Sequence, residues 1–199
     1  MNEQDILELF KKSGALLEGH FELRSGLHSP VYFQCALVLC WPDIAERLCS
    51  ELGRKLMNIL PGETRIDTVI SPALGGIIVG HELGRFLHAR VVFTEKEIDE
   101  TGKNVVMALR RFNLTPGERV VVAEDVVTRG GRVEETIAIV ERAGAVVTAV
   151  AVLVDRSGGK VKFKYPSVSL LQIEPVVYEP TACPLCASGI PLVHPGSLR

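Results

Sequence analysis

The chain has 199 residues, 47% hydrophobic and 23% charged, which supplies a full core and excludes a disordered chain. That length fits one domain, with or without a small appendage. A formal net charge of −2 excludes a global pull toward nucleic acid or anionic membrane, although a small anionic ligand needs only local cations.

The opening stretch, MNEQDILELFKK, is acidic and amphipathic and lacks the basic-then-apolar order of an export signal. Asn2 is placed to cap a helix with Glu3 and Asp5 in its first turn, Ile6, Leu9, Phe10, Leu16 and Leu17 on one face, and Gly19 at its exit. FELRSG and SPVYFQC read as two short strands joined across Leu27-His28. Pro42 opens a second helix, in which Ile44, Leu48, Leu52, Leu56 and Ile59 keep helical spacing until Pro61-Gly62.

From there the pattern alternates. DTVIS is a buried strand, SPALGG a turn, Gly75 to Leu87 a helix and RVVFTE the next strand. Residues 95–118 are charged at their start and predict a mobile loop or an exposed hairpin. ERVVVAED is a strand, Val133 to Ala143 a helix closed by Gly144, and VVTAVAVLVD a long apolar strand. This rhythm of βαβ units predicts a parallel sheet covered on both faces. The Pro- and Gly-rich remainder is expected to fold over the sheet rather than extend it. No apolar run approaches the roughly 18–20 residues of a membrane span.

The most informative stretch is VVVAEDVVTRGGRVEE. In an open α/β sheet the ligand crevice lies beyond the carboxyl ends of the strands, and Glu124 and Asp125 stand at such an end. Where a strand breaks into a loop, two adjacent carboxylates can turn to one ligand, binding a metal or accepting hydrogen bonds from a vicinal diol. Thr128, Arg129, Gly130 and Gly131 then lead into a helix N-terminus, and the glycines let backbone N–H groups curl around an anion. A diol binder beside a phosphate cradle describes a site for a ribose 5-phosphate. The chain has neither a GxxxxGK[ST] loop nor G-x-G-x-x-G after a strand, and ALGGIIVG has the wrong glycine spacing for the latter.

This stretch resembles the phosphoribosyl diphosphate (PRPP) signature of the type I phosphoribosyltransferases: four apolar residues, two acids, two apolar residues and a Thr/Gly loop. EGHFELRSGLHSPVYFQC, SPALGGIIVGHELG, VVFTEKE and the closing CPLCASGIPLVHPGS are similar to segments of the orotate phosphoribosyltransferases. The resemblance spans nearly the whole chain. It implies an α/β fold with a Rossmann-like parallel sheet flanked by helices, in a single domain over residues 1–199. The core would cover about residues 62–160, and a small hood would come from about residues 1–40 and 165–199.

The resemblance also implies roles. Orotate would displace pyrophosphate from C1 of PRPP with inversion and Mg²⁺ assistance, giving orotidine 5′-monophosphate on the route to UMP. Glu124 and Asp125 would hold the ribose hydroxyls, with Asp125 stabilising positive charge at C1. Val126, Val127, Thr128, Arg129, Gly130, Gly131 and Arg132 would form the 5′-phosphate loop, with Thr128 also touching orotate. Arg156, after VLVD, matches an orotate-binding arginine, with an ion pair to Asp155 as its alternative. Arg24 stands where the family has a lysine reaching PRPP and orotate, and Tyr32 and Phe33 match an aromatic pair of the base pocket. Ala73, Leu74, Gly75 and Gly76 resemble the pyrophosphate loop, but Gly75 stands where better-known relatives carry a lysine.

The missing cation would then come from the loop, where Lys96 matches a family lysine and Lys103, Arg110 and Arg111 stand nearby. In the family this loop, here about residues 96–111, closes over a partner subunit's site, which implies a homodimer. Mg²⁺ would arrive with PRPP, with no direct protein ligand beyond a water-bridged contact to Asp125.

The cysteines are Cys35, Cys40, Cys49, Cys183 and Cys186, an odd number that reads as reduced thiols in a cytoplasmic protein. Cys183 and Cys186 form a single C-x-x-C without a second pair; they are expected to pack in an apolar tail, with a zinc site and a redox pair as the alternatives. His20, His28, His81, His88 and His194 show no metal spacing and are expected to be structural or exposed. The rival functions are a phosphoribosyltransferase for another base and a PRPP-binding regulator on the same fold. The cations Arg24 and Arg156 favour an anionic base, and the net charge disfavours a nucleic-acid-binding regulator.

Overall fold

The computed structural model describes residues 1–195 except Arg24, Glu63, Glu100 and Pro175. They divide into two compact units, one formed by Met1–Val38 with Glu174–Arg199, the other by Leu39–Ile173.

The first unit opens with α1 (Glu3–Lys12), started by a capping box: Asn2 Oδ1 accepts from the Asp5 N–H at 2.8 Å and Asp5 Oδ2 from the Asn2 N–H at 3.0 Å. Ile6 and Phe10 are buried. The helix does not continue through Leu16 and Leu17. Gly14 adopts φ +71°, and the Ala15 N–H turns back to the Phe10 carbonyl at 2.8 Å, a left-handed exit that glycine takes without a Cβ penalty. Leu16–Glu22 is instead β1, antiparallel to β2 (His28–Phe33). The register shifts between Glu18 and Phe21, and the consecutive residues His20 and Phe21 are both buried. The tail returns to this hairpin, with Tyr178 bridging His28 and Val193 bridging Phe21.

The second unit begins at the last residue of α2 (Cys35–Leu39) and continues with α3 (Pro42–Ile59), which buries Ala45, Leu48, Cys49, Leu52 and Leu56. Then come β3 (Thr68–Pro72), α4 (Gly75–Leu87), β4 (Arg90–Ile98), β5 (Val105–Ala108), β6 (Arg119–Val127), α5 (Gly131–Arg142), β7 (Val146–Asp155) and β8 (Ser167–Gln172). The sheet order is β5-β4-β3-β6-β7-β8. Every pairing is parallel except β4 with β5, so the sheet is mixed. Residues 95–118 therefore contain the expected hairpin, its turn tied by Asp99 to Thr101 and Asn104. The remainder of the chain does extend the sheet, because β8 pairs along β7. Its alternating Ser167-Val168-Ser169-Leu170 lacks the continuous apolar run that marks the central strands, as suits an edge.

Ile70, Val92, Val120, Val122, Val150 and Val152 form one buried cluster with Val133, Ile137 and Val140 of α5. On the opposite face α4 lies close to β3. A Cβ on Gly80 would stand 2.7 Å from Ser71 Oγ, and one on Gly84 would collide with Val91. The stripe Gly76, Gly80, Gly84 thus lets helix backbone approach sheet.

At the amino ends of the strands the charges are paired off: Arg119 with Asp67 at 3.0 Å and Arg90 with Glu118 at 2.8 Å. Glu118 also accepts from the Thr68 hydroxyl.

Candidate active site

The sheet order sets the place. From β3 the chain runs outward to β4, and from β6 outward the other way to β7 and β8. The boundary between β3 and β6 is the topological switch point, where a crevice opens beyond the carboxyl ends. Both of these strands run directly into helices. β3 passes through Ala73-Leu74 into α4, and β6 through Thr128-Arg129-Gly130 into α5. Neither helix has a side-chain cap. Two helix N-termini, each carrying about half a positive charge and orphan backbone donors, therefore follow neighbouring strands. This geometry suits a ligand with two separate phosphate groups.

The phosphate-loop candidates Thr128, Arg129, Gly131 and Arg132 are exposed, while Val127 is buried in the core cluster and anchors the loop. Gly130 has φ +80° and no room for a side chain, since a Cβ there would lie 2.8 Å from Val161 Cγ1. Arg156 donates its backbone N–H to the Val127 carbonyl at 2.8 Å. That bond places the start of the 156–163 loop beside the start of the phosphate loop, so Thr128 and Arg156 are brought together.

Glu124 and Asp125 lie at the end of β6, against the first residues of α4. A Cβ on Gly75 would overlap the Asp125 carboxylate, and one on Gly76 would stand 3.0 Å from Glu124 Oε1. With Asp125 in this position, the backbone of Gly75 and the Asp125 carboxylate leave no space for a side chain between them. Glu124 is 6% exposed and accepts from the Asp125 N–H at 3.0 Å. Burial, and then the neighbouring Asp125 carboxylate, push its pKa up to about 9, with the Arg132 charge working against them. Both effects favour the protonated form of Glu124. A protonated acid beside Asp125 can both donate to and accept from a diol.

Ala73 donates its N–H to the Thr94 carbonyl at 2.8 Å, which fixes the 73–76 loop to β4; its Ala73–Leu74 peptide is cis. Lys96 is exposed two residues further along β4. Arg111 is engaged with Glu95 at 2.8 Å, which lowers the Glu95 pKa. Tyr32 and Phe33 lie on β2 in the other unit. Phe33 is buried with its ring 6.1 Å from that of Phe10, and the Tyr32 ring lies tilted 5.9 Å from that of Phe21. Arg24 lies outside the described residues.

A second cluster escaped the sequence reading. His20, His28, Cys183 and Cys186 bring four ligand atoms within 4.8 Å of one another, so the two cysteines do not merely pack in an apolar tail. Spacing alone hides this, because the hairpin and the tail are joined only by the fold.

The phosphoribosyl transferase domain family matches residues 43–185. An orotate phosphoribosyltransferase of Desulforamulus reducens is 47% identical over 99% of this chain and 98% of its own length. That of Caldicellulosiruptor bescii is 48% identical over the full length of both chains. Among solved structures, orotate phosphoribosyltransferase from Aeropyrum pernix superposes with a TM-score of 0.66 at 26% identity, covering 84% of this chain and 93% of its own. The site at the switch point and these full-length relatives converge: the chain belongs to the phosphoribosyltransferase family, among the orotate phosphoribosyltransferases.

Proposed function

We propose that the protein transfers the 5-phosphoribosyl group from PRPP to orotate, releasing pyrophosphate and forming orotidine 5′-monophosphate in de novo pyrimidine synthesis. The observation that carries this reading is full-length identity near one half with orotate phosphoribosyltransferases. The two uncapped helix N-termini beside the acid pair give it a physical basis.

In the proposed reaction orotate N1 attacks C1 as the bond to pyrophosphate breaks, and positive charge grows on the ribose ring. The protein's work is positioning and charge stabilisation. Residues 126–132 hold the 5′-phosphate, Glu124 and Asp125 hold the 2′- and 3′-hydroxyls, and the Asp125 carboxylate faces the growing charge. The N–H groups of residues 73–76 and the Lys96 ammonium receive the leaving pyrophosphate. The Arg156 guanidinium, with Thr128, orients orotate through its carboxylate or carbonyl edge. Arg24, Tyr32 and Phe33 are assigned to substrate by family resemblance.

The donor set fits Mg²⁺ only as a substrate-borne ion. Two adjacent carboxyl groups, one of them buried, offer far fewer than six oxygen ligands. Asp125 is the residue that would hold the ion, through water. When bound, Mg²⁺ would neutralise charge on the pyrophosphate group.

The β4–β5 hairpin carries the exposed apolar residues Ile98, Val105 and Val106. They support its assignment as an arm that covers a partner subunit's site in a homodimer. Among the described residues no helix is long and apolar enough to cross a membrane, and the pathway assigns the protein to the cytoplasm.

The deciding test follows orotate absorbance with PRPP and Mg²⁺, with and without EDTA. Loss of orotate that EDTA abolishes is expected. No change, with PRPP still bound by calorimetry, would move the assignment to another base or to a PRPP-sensing regulator.

A further inference from the structure

We propose that His20, His28, Cys183 and Cys186 form a closed structural Zn²⁺ site that fastens the C-terminal segment to the β1–β2 hairpin. His20 and His28 meet as a diagonal pair on one face of the hairpin: Glu22 pairs with His28, and His20 lies two residues before Glu22. His20 Nε2 and His28 Nδ1 are 2.9 Å apart. Cys183 is the N-cap of one short helical turn, Pro184–Ala187, and Cys186 lies within it, which aims both sulfurs the same way. Cys183 Sγ lies 3.5 Å and Cys186 Sγ 3.6 Å from His20 Nε2, and Cys186 Sγ lies 3.3 Å from His28 Nδ1.

Hydrogen bonding does not account for this convergence. His20 Nδ1 lies 2.8 Å from the Ile190 carbonyl. A carbonyl can only accept, so Nδ1 carries the proton and neutral His20 has a single lone pair, on Nε2. One lone pair accepts one good hydrogen bond, yet three polar atoms surround it. A tetrahedral Zn²⁺ site has Zn–S near 2.3 Å and Zn–N near 2.0–2.1 Å, giving N–S edges of about 3.6 Å and an N–N edge of about 3.3 Å. The three N–S separations match within a few tenths of an ångström, and the N–N pair needs only a small opening. The Ile190 carbonyl is the outer partner that a metal-bound histidine uses to fix its tautomer. Four protein ligands leave no open position, so the site is structural rather than catalytic.

The tail has reason to need such a clamp. Among the described residues of 174–195 only Cys183 is buried, while Val176, Val177, Ile190, Leu192 and Val193 are exposed. A segment without apolar burial of its own is held by a metal where a core is lacking.

The test uses the full chain, purified without chelator. Metal analysis is expected to give about one zinc per chain, released by a thiol-directed mercurial. Protein exchanged into Co²⁺ is expected to show the intense visible bands of a tetrahedral ion and thiolate-to-cobalt charge transfer. Cys183→Ser and His28→Ala should weaken the metal by at least about ten-fold. Removing zinc should speed proteolysis within residues 174–195 while the core unit stays resistant. A wild-type chain that holds no zinc as purified and shows no tetrahedral cobalt spectrum would overturn the proposal. So would zinc retained with unchanged affinity in folded Cys183→Ser and His28→Ala variants.

Discussion

Gly75 and Asp125 are packed so closely that the smallest side chain at residue 75 would overlap the carboxylate. Helix α4 begins at Gly75, so the same contact sets both the start of a helix and the position of an acid assigned to ribose. Gly75→Ala should therefore displace Asp125. We expect kcat/KM to fall by at least about 100-fold, with a stability loss of about 1–3 kcal/mol from overpacking. Steady-state kinetics and thermal unfolding measure the two, and unchanged kinetics would sink the positional role of this contact.

Asp125→Asn keeps the shape and removes the charge. Turnover should fall about 10²–10³-fold, the scale of a lost transition-state electrostatic contact, with the melting temperature nearly unchanged. Near-normal turnover would remove Asp125 from the reaction.

Glu124 gives a pH signature. Its folded pKa, near 9, lies above its ordinary value of 4.5, so the native state keeps a proton that the unfolded chain loses. The stability that proton supports is fully present below about pH 4.5. It falls as pH rises toward 9, at up to about 1.4 kcal/mol per pH unit from this group. Glu124→Gln is neutral throughout. Its melting temperature relative to wild type should therefore climb steadily across that window, and parallel profiles would show that Glu124 ionises normally.

Arg156→Ala tests the base pocket. Loss of a charge-assisted contact worth about 1.5–3 kcal/mol should raise KM for orotate about 10- to 100-fold and leave KM for PRPP within a few-fold. Equal effects on both substrates would mean that Arg156 serves the phosphoribosyl group instead.

The core was legible in the sequence because its signals are local. The apolar runs ending at Ser71, Asp125 and Asp155 announce buried parallel strands, and the Gly-bounded helices between them fix the βαβ order. Glu124 and Asp125 were legible because a strand end followed by a Thr/Gly turn carries its chemistry within a dozen residues. Long-range pairing was not. Leu16 and Leu17 continue the helical period of α1, and only the left-handed Gly14 diverts them into a strand. β8 is too polar to announce itself and gains its place by pairing with β7. His20 and His28 show no relation to Cys183 and Cys186 until the hairpin bulge and the returning tail bring them together.

The composition of the first unit from two distant stretches dictates an order of assembly during synthesis. The 135 residues of Leu39–Ile173 have all their strand partners as soon as β8 has been made. The β1–β2 hairpin is translated first but gains its bridges to Tyr178 and Val193 last. At roughly 5–20 residues per second, it waits on the order of ten seconds for them. Released chains truncated just past Gln172 should therefore carry a folded sheet and a protease-sensitive N-terminal segment.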